Sequence, residues 1–130
     1  MIVVDASVIA TALGDDGAEG RRMRERVADE RLAAPELLDL EVVSVFRRLC
    51  AAGRLTSDRA EAAIVDLRAL RVQRVPHRPF VDRCWELREN VTVYDAVYIA
   101  LAESLDVPLL TADHRLAGAP GARCTFELVS

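Results

Sequence analysis

Hydrophobic and polar positions along the chain follow two alternating patterns. Short apolar runs, some of which end in an acid, are typical of strands buried in a sheet. These runs predict strands at residues 1–5, 31–35, 71–76, 107–113 and 124–129. Longer stretches with apolar residues three and four positions apart predict helices. The helices are expected at residues 7–13, 21–30, 35–53, 56–70, 80–90 and 92–103.

Turn and capping residues set the expected boundaries of these elements. Pro35 suits the first turn of the helix that it precedes, and Gly53 suits its end. One of Thr56, Ser57 and Asp58 is expected to cap the next helix. The polar composition of residues 71–76 favours a strand at the edge of the sheet.

Strands that alternate with helices indicate βαβ units, so the predicted fold class is α/β with a mainly parallel sheet. The chain has 130 residues, of which 52% are hydrophobic, and we expect one domain, residues 1–130, with its own core. In such sheets ligands bind beyond the carboxyl ends of the strands, where the strand order reverses. Asp5 and Asp113 both lie at the carboxyl ends of predicted strands.

Two further acids lie among apolar residues of predicted helices. Asp95 is three positions before Tyr98 and four before Ile99, so it shares a helical face with core residues. Glu41 is flanked at helical spacing by leucine and valine, and Val45 occupies the position where a pairing arginine would lie. Burial of an unpaired carboxylate costs several kcal/mol or shifts its pKa until it is neutral.

Structural roles explain most of these acids when each is taken alone. Asp5 suits the cap of the following helix, Asp113 suits a turn, and Thr92 with Asp95 has the spacing of a capping box. Glu41 is the one without a ready structural role. The argument for function therefore depends on the set of four acids.

A cluster of these acids would need a counterion. Two carboxylates about 4 Å apart repel by roughly 4 kcal/mol at an effective dielectric near 20, which is large beside a typical domain stability of about 5–15 kcal/mol. Protonation is one solution and a divalent cation is the other. Ligands that offer only oxygen favour Mg²⁺ or Mn²⁺.

The composition bears on three properties: nucleic-acid binding, the state of the cysteines and the cellular location. The net charge of −4 argues against a nucleic-acid ligand, but every cationic side chain is arginine, which binds phosphate in bidentate fashion; a biased genome composition explains the arginines equally well. Three separated cysteines match neither a disulfide framework nor a zinc site and are expected to be reduced and half-buried. No apolar run is long enough for a membrane span and no signal peptide is evident, so a cytoplasmic location is expected.

Four segments in order resemble those of PIN-domain nucleases, and most closely the VapC-type ribonuclease toxins of bacterial type II toxin–antitoxin pairs. The segments are VVDAS, PELLDLEVVSVFRR, YDAVYIALAE and LLTADHRL. The resemblance covers roughly residues 2–128. It implies an α/β/α sandwich, a catalytic and metal-binding set of Asp5, Glu41, Asp95 and Asp113, and a supporting hydroxyl at Ser7, for which helix capping is an equal alternative. It also implies a homodimer and a cognate antitoxin.

The activity implied by the resemblance is hydrolysis of RNA by metal-activated water, with one or two Mg²⁺ or Mn²⁺ ions. Attack in line would leave a 5′-phosphate and a 3′-hydroxyl. Many relatives carry another acid just after the last aspartate, whereas His114 and Arg115 follow it here. Candidate arginines for substrate binding are Arg47, Arg48, Arg78, Arg83 and Arg115.

Three alternative classes fit the sequence less well. A phosphatase of the haloacid dehalogenase type needs an aspartate where Ser7 stands, and a phosphoacceptor receiver domain needs a lysine that the chain lacks. A PIN-like module that has lost turnover and only binds a partner protein is the main alternative. The helices between residues 17 and 71 are a candidate dimer or antitoxin surface, although core packing explains the same residues.

Overall fold

The computed structural model describes residues 1–129 and contains a five-stranded parallel sheet. The strands are β1 (Ile2–Val4), β2 (Leu32–Pro35), β3 (Val72–Val75), β4 (Leu109–Thr111) and β5 (Phe126–Leu128). Their order is β3-β2-β1-β4-β5, and every neighbouring pair is parallel. The predicted α/β class and the edge position of residues 71–76 are confirmed.

Helices pack on this sheet in two groups. The helices are α1 (Ala6–Gly14), α2 (Ala18–Val27), α3 (Leu37–Ala51), α4 (Ser57–Ala69), α5 (Val81–Glu86), α6 (Val93–Leu105) and α7 (His114–Ala117). Helices α1 to α4 pack against one another, α5 packs on α6, and both α1 and α6 contact the sheet. The expected α/β/α sandwich is therefore confirmed.

The strand order places a reversal point at the centre of the sheet. From β1 the chain runs outward through β2 and β3 and then returns to β4 and β5 on the other side of β1. Strand β1 is completely enclosed, because Ile2, Val3 and Val4 are all buried and both of its edges are paired. The crevice beyond the carboxyl ends of β1 and β4 is the position that favours a ligand site in such folds.

Several predicted boundaries were wrong by a few residues. Pro35 ends β2 rather than opening α3, because the pairing of β2 with β3 continues to this residue. The predicted helix at 80–90 is a 3-10 turn, Arg78–Phe80, followed by the short α5. The start of α4 agrees with expectation: of the three candidate caps it is Thr56 that caps the helix, since its side chain accepts a hydrogen bond from the Arg59 N–H.

The cysteines are half-buried, as the sequence predicted. Cys50, Cys84 and Cys124 are free and partly buried. Within residues 1–129, no helix combines the length and the apolar character needed to cross a membrane.

Candidate active site: a cavity lined by four acids

The four acids singled out in the sequence line one cavity of about 210 Å³. Asp5 follows β1 directly and Asp113 follows β4 after one intervening residue, whereas Glu41 and Asp95 are supplied by α3 and α6. The cavity therefore lies at the reversal point of the sheet. The structure brings together side chains that are separated by up to 108 positions along the chain, from 5 to 113.

Asp5 is the most buried of the four acids, with an exposed fraction of 6%. Its Oδ1 accepts hydrogen bonds from Ser7 Oγ at 2.6 Å and from the Val8 N–H at 3.2 Å. Asp5 therefore caps α1, which is the structural role that the sequence suggested for it. Its Oδ2 accepts a short hydrogen bond from Thr111 Oγ1. Burial raises the pKa of Asp5 despite these three donors. Capping and a role in the cavity coexist because a carboxylate has about four lone-pair positions.

Thr111 connects the two strand-end acids and was missed in the sequence. It is completely buried at the end of β4, where its hydroxyl donates to Asp5 and accepts from the Asp113 N–H at 3.0 Å. Ser7 makes a second connection, because its Oγ accepts from the Ala112 N–H at 3.1 Å. These bonds fix the spacing of β1 and β4 at the cavity. A buried threonine in a strand resembles any other core residue, so the sequence carried no signal for this role.

Replacing Thr111 with valine is expected to lower the free energy of unfolding by about 1–3 kcal/mol, because Asp5 Oδ2 and the Asp113 N–H each lose a buried partner. Chemical denaturation measures this change. Thr125→Val is the matched control, because Thr125 is exposed and such surface substitutions usually change stability by less than about 0.5 kcal/mol. Equal stability of the two variants would contradict this role for Thr111.

The carboxylates of Asp95 and Glu41 are half-buried and face like charges. Burial raises the pKa of Asp95, and the neighbouring charge of Asp113 raises it further. Burial also raises the pKa of Glu41, followed by the charges of Asp95 and Asp5. Thr92 caps α6 by accepting from the Asp95 N–H at 3.1 Å, but in residues 1–129 the carboxylate makes no return bond to the Thr92 N–H. The reciprocal bond of a capping box is therefore missing, although the nearby Thr92 side chain lowers the pKa of Asp95, and Asp95 lines the cavity.

Tyr98 adds a neutral polar group to the wall of the cavity. Its hydroxyl is completely buried and makes no hydrogen bond of ordinary geometry within residues 1–129. Burial raises the pKa of Tyr98 well above its ordinary range, and the Glu41 carboxylate is the next cause. Tyr98 lowers the pKa of Glu41 in return. The phenol is therefore protonated and close enough to Glu41 to influence its charge.

The chemistry of these residues fits a hard divalent cation. Burial, and after it mutual repulsion, raise the pKa values of Asp5, Glu41 and Asp95, so a positive charge in the cavity would relieve the repulsion. The lining acids offer oxygen ligands, as Mg²⁺ and Mn²⁺ prefer. With the side chains as they stand, no three acidic, histidine or cysteine residues among positions 1–129 are close enough to ligate one ion together.

The candidate arginines do not all lie at the cavity. Arg48 lines it, and Arg115 lies beside it with its Nε 3.6 Å from Asp113 Oδ1. Arg47 and Arg78 are exposed and do not line the cavity. Arg83 does not line the cavity either. Its guanidinium pairs with Glu103 at 2.8 Å and Glu86 at 3.0 Å and donates to a backbone carbonyl, so it joins α5 to α6.

Comparison with known proteins gives the class to which this arrangement belongs. A model of the PIN domain matches residues 2–121, and the chain therefore belongs to the PIN-domain family. Among its relatives is the protein named Ribonuclease VapC1 of Mycobacterium tuberculosis, 44% identical over 128 residues that cover 98% of this chain and 96% of the relative. Another is Ribonuclease VapC9 of the same species, 43% identical over 129 residues, or 99% and 98% of the two chains. The chain is thus of the VapC type.

Solved structures share the fold at much lower identity. VapC20 of Mycobacterium tuberculosis, described as a toxin that cleaves the sarcin–ricin loop, matches with a TM-score of 0.71 and 17% identity over 92% of this chain and 96% of that one. A chain of VapBC2 from Rickettsia felis, bound to a promoter DNA fragment, matches with a TM-score of 0.69 and 13% identity over 100% of both chains. At these identities the likeness establishes the fold alone.

Proposed function

We propose that this chain is an endoribonuclease toxin that acts in the cytoplasm, depends on a divalent metal and is inhibited by a cognate antitoxin. The observation that carries the proposal is the convergence of Asp5, Glu41, Asp95 and Asp113 on one cavity at the reversal point of the sheet. The relatives named as VapC ribonucleases, which match along nearly the whole chain, support the substrate class.

The acids would hold one or two Mg²⁺ or Mn²⁺ ions in this proposal. Asp5, Asp95 and Asp113 would ligate directly or through water, while Glu41 would hold an ion or orient the attacking water. A bound ion of this kind lowers the pKa of water and offsets negative charge on a phosphate. Ser7 would keep the Asp5 carboxylate in place through its 2.6 Å hydrogen bond.

The protein's own contribution is to position the reactants and to balance their charge. Arg48 at the cavity wall and Arg115 beside Asp113 would each neutralise part of the phosphate charge. The mechanism needs no side-chain nucleophile, because water attacks the phosphorus in line and leaves a 5′-phosphate and a 3′-hydroxyl. The Tyr98 hydroxyl would donate a hydrogen bond to the Glu41 carboxylate and so fix the orientation of that carboxylate.

Incubation of antitoxin-free protein with total cellular RNA and Mg²⁺, followed by mapping of the new ends, tests this function. We expect a small number of discrete new ends that carry 5′-phosphates. Unchanged RNA with both Mg²⁺ and Mn²⁺ would contradict hydrolysis and would favour the alternative, a PIN-like module that only binds a partner protein. The separation of the carboxylates described above is the one observation that favours that alternative.

The proposed homodimer has a candidate surface on α5 and α6. Val81, Trp85, Val93 and Tyr94 are all exposed there around an apolar groove of about 350 Å³. Protruding aromatic rings next to a groove provide both halves of a self-complementary contact, as two-fold symmetry requires. This surface lies outside residues 17–71, where the large apolar residues that are exposed are Leu40, Val43 and Val65.

Tyr94→Glu is expected to convert a dimer of the isolated chain into a monomer, because a charge would be buried in the apolar contact. Sedimentation velocity measures the change. Val65→Glu is the matched control, since Val65 is also exposed, at 64%, but lies on α4. Dissociation caused by Val65→Glu and not by Tyr94→Glu would assign the interface to the helices between residues 17 and 71 instead.

A further inference from the structure

A second groove, of about 480 Å³, lies beside the acid cavity. Asp95 and Asp113 belong to the walls of both. The remaining lining comes from the segment between α5 and α6 and from α7. The groove residues besides the two acids are Arg88, Glu89, Asn90, Val91, Thr92, Arg115 and Leu116.

Arg88 is held in a fixed position at this groove without a carboxylate partner. Its guanidinium lies over the Trp85 ring, 4.1 Å from the ring centroid, and its Nη1 donates to the Trp85 carbonyl at 2.9 Å. Within residues 1–129 it makes no salt bridge, unlike Arg26, Arg59, Arg74 and Arg83. Stacking on an aromatic ring orients the planar guanidinium and leaves most of its N–H donors unused. Arg88 is therefore a preorganised cation whose charge is not neutralised by the protein.

Arg115 provides a second cation in the same groove. Its side chain is 93% exposed, and its contact with Asp113 is long at 3.6 Å. Exposed pairs of this kind contribute little to stability, so Arg115 can exchange its partner for a phosphate at little cost. Arg48 lies on the wall of the acid cavity, away from the second groove. The acids are thus flanked by cations on two sides.

We infer that the second groove binds the sugar–phosphate backbone of single-stranded RNA next to the bond that is cleaved. This inference rests on the proposed ribonuclease function and adds the path of the strand. Arg88 and Arg115 contact phosphates on one side of the acids, while Arg48 contacts the strand on the other. Cations placed along a groove are the usual means of holding the backbone of a single strand. Here Arg88 and Arg115 offset part of the repulsion that the acids lining the groove exert on an anionic substrate.

Arg88→Gln tests the inference through binding as well as turnover. The probe is a fluorescein-labelled single-stranded RNA that spans a cleavage site mapped in total cellular RNA. We expect KM, and the Kd measured by anisotropy in EDTA, to rise about five- to tenfold with kcat within twofold. The slope of log Kd against log salt should fall by about 0.7, the value for one phosphate contact with a single strand. Arg88→Lys should restore the slope but only part of the affinity, because lysine lacks the bidentate fork.

Arg54→Gln is the matched control, because Arg54 is exposed at the end of α3 and lines neither cavity. If Arg88→Gln binds and cleaves RNA with the constants and the salt slope of Arg54→Gln, the inference is overturned while the ribonuclease proposal stands. If the unmodified protein cleaves no RNA, the binding probe is a fluorescein-labelled single-stranded RNA of mixed sequence. Weaker binding of that probe by Arg88→Gln than by Arg54→Gln would then keep the groove assignment, while the hydrolytic function fails.

Discussion

Replacing Asp95 with asparagine is expected to reduce the rate of RNA cleavage by roughly a thousandfold, because a metal ligand supplies several kcal/mol of charge stabilisation and each 1.4 kcal/mol is a factor of ten. The substitution keeps the shape of the side chain and removes its charge. The Asp95 N–H still donates to Thr92, so the cap of α6 is retained. Initial rates on a mapped RNA oligonucleotide measure the effect.

Asp66→Asn is the control for this substitution, because Asp66 is exposed on α4 and does not line the acid cavity. It should cleave at the rate of the unmodified protein. A second readout excludes simple misfolding: Asp95→Asn should unfold at a higher temperature than the unmodified protein when both are in EDTA at neutral pH. Loss of activity together with loss of stability would mean that Asp95 has a structural role rather than a role in binding metal.

Mn²⁺ at a hundredfold excess over its Kd is expected to stabilise the folded protein by about 2.7 kcal/mol, which corresponds to roughly 10 °C in Tm for a chain of this length. Burial, and after it repulsion between the carboxylates, raise the pKa values of Asp5, Glu41 and Asp95, and the charge of the ion would offset both effects. Differential scanning calorimetry with and without Mn²⁺ measures the shift. Asp66→Asn should shift as much as the unmodified protein, and an equal shift for Asp95→Asn would contradict binding at this cavity.

The pH dependence of stability follows from the same shifts. A carboxyl whose pKa is raised by folding binds its proton more tightly in the folded state, so its contribution to stability falls as pH rises from the unfolded value near 4 to the raised folded value. Ion-paired acids such as Glu103, whose pKa is lowered by Arg83, have the opposite sign. The difference in the free energy of unfolding between the unmodified protein and Asp95→Asn, both in EDTA, gives the contribution of Asp95. That difference should grow as pH rises above about 4 and then become constant.

The sequence predicted most of the fold and the acids, for identifiable physical reasons. Continuous apolar runs such as residues 2–4 belong to strands enclosed on both sides, so strand positions could be read from hydrophobicity alone. Asp95 and Glu41 were found because a charge on an apolar helical face is unusual. The rule about reversal points, which uses topology rather than side-chain detail, applied to Asp5 and Asp113 at the strand ends. Glu41 and Asp95 were expected to join them because their helical faces should pack toward the sheet.

The parts that the sequence did not predict depend on neighbours that are distant along the chain. Thr111 is important because Asp5 lies across the β1–β4 pair. Arg83 and Arg88 are five positions apart in one segment, yet Glu103 neutralises the first while Trp85 orients the second. Nothing in the local pattern separates these two arginines. Only the packing of α5 on α6 determines which of them remains available to a phosphate.

Metal removal and restoration, with the RNA oligonucleotide as substrate, test the central claim most directly. The unmodified protein should lose cleavage completely in EDTA and regain it when excess Mg²⁺ is added. The variant that combines Asp5→Asn with Asp95→Asn should remain inactive after the same addition. Cleavage that persists in EDTA, or a return of activity in the double variant, would contradict an ion held by these carboxylates as the basis of hydrolysis.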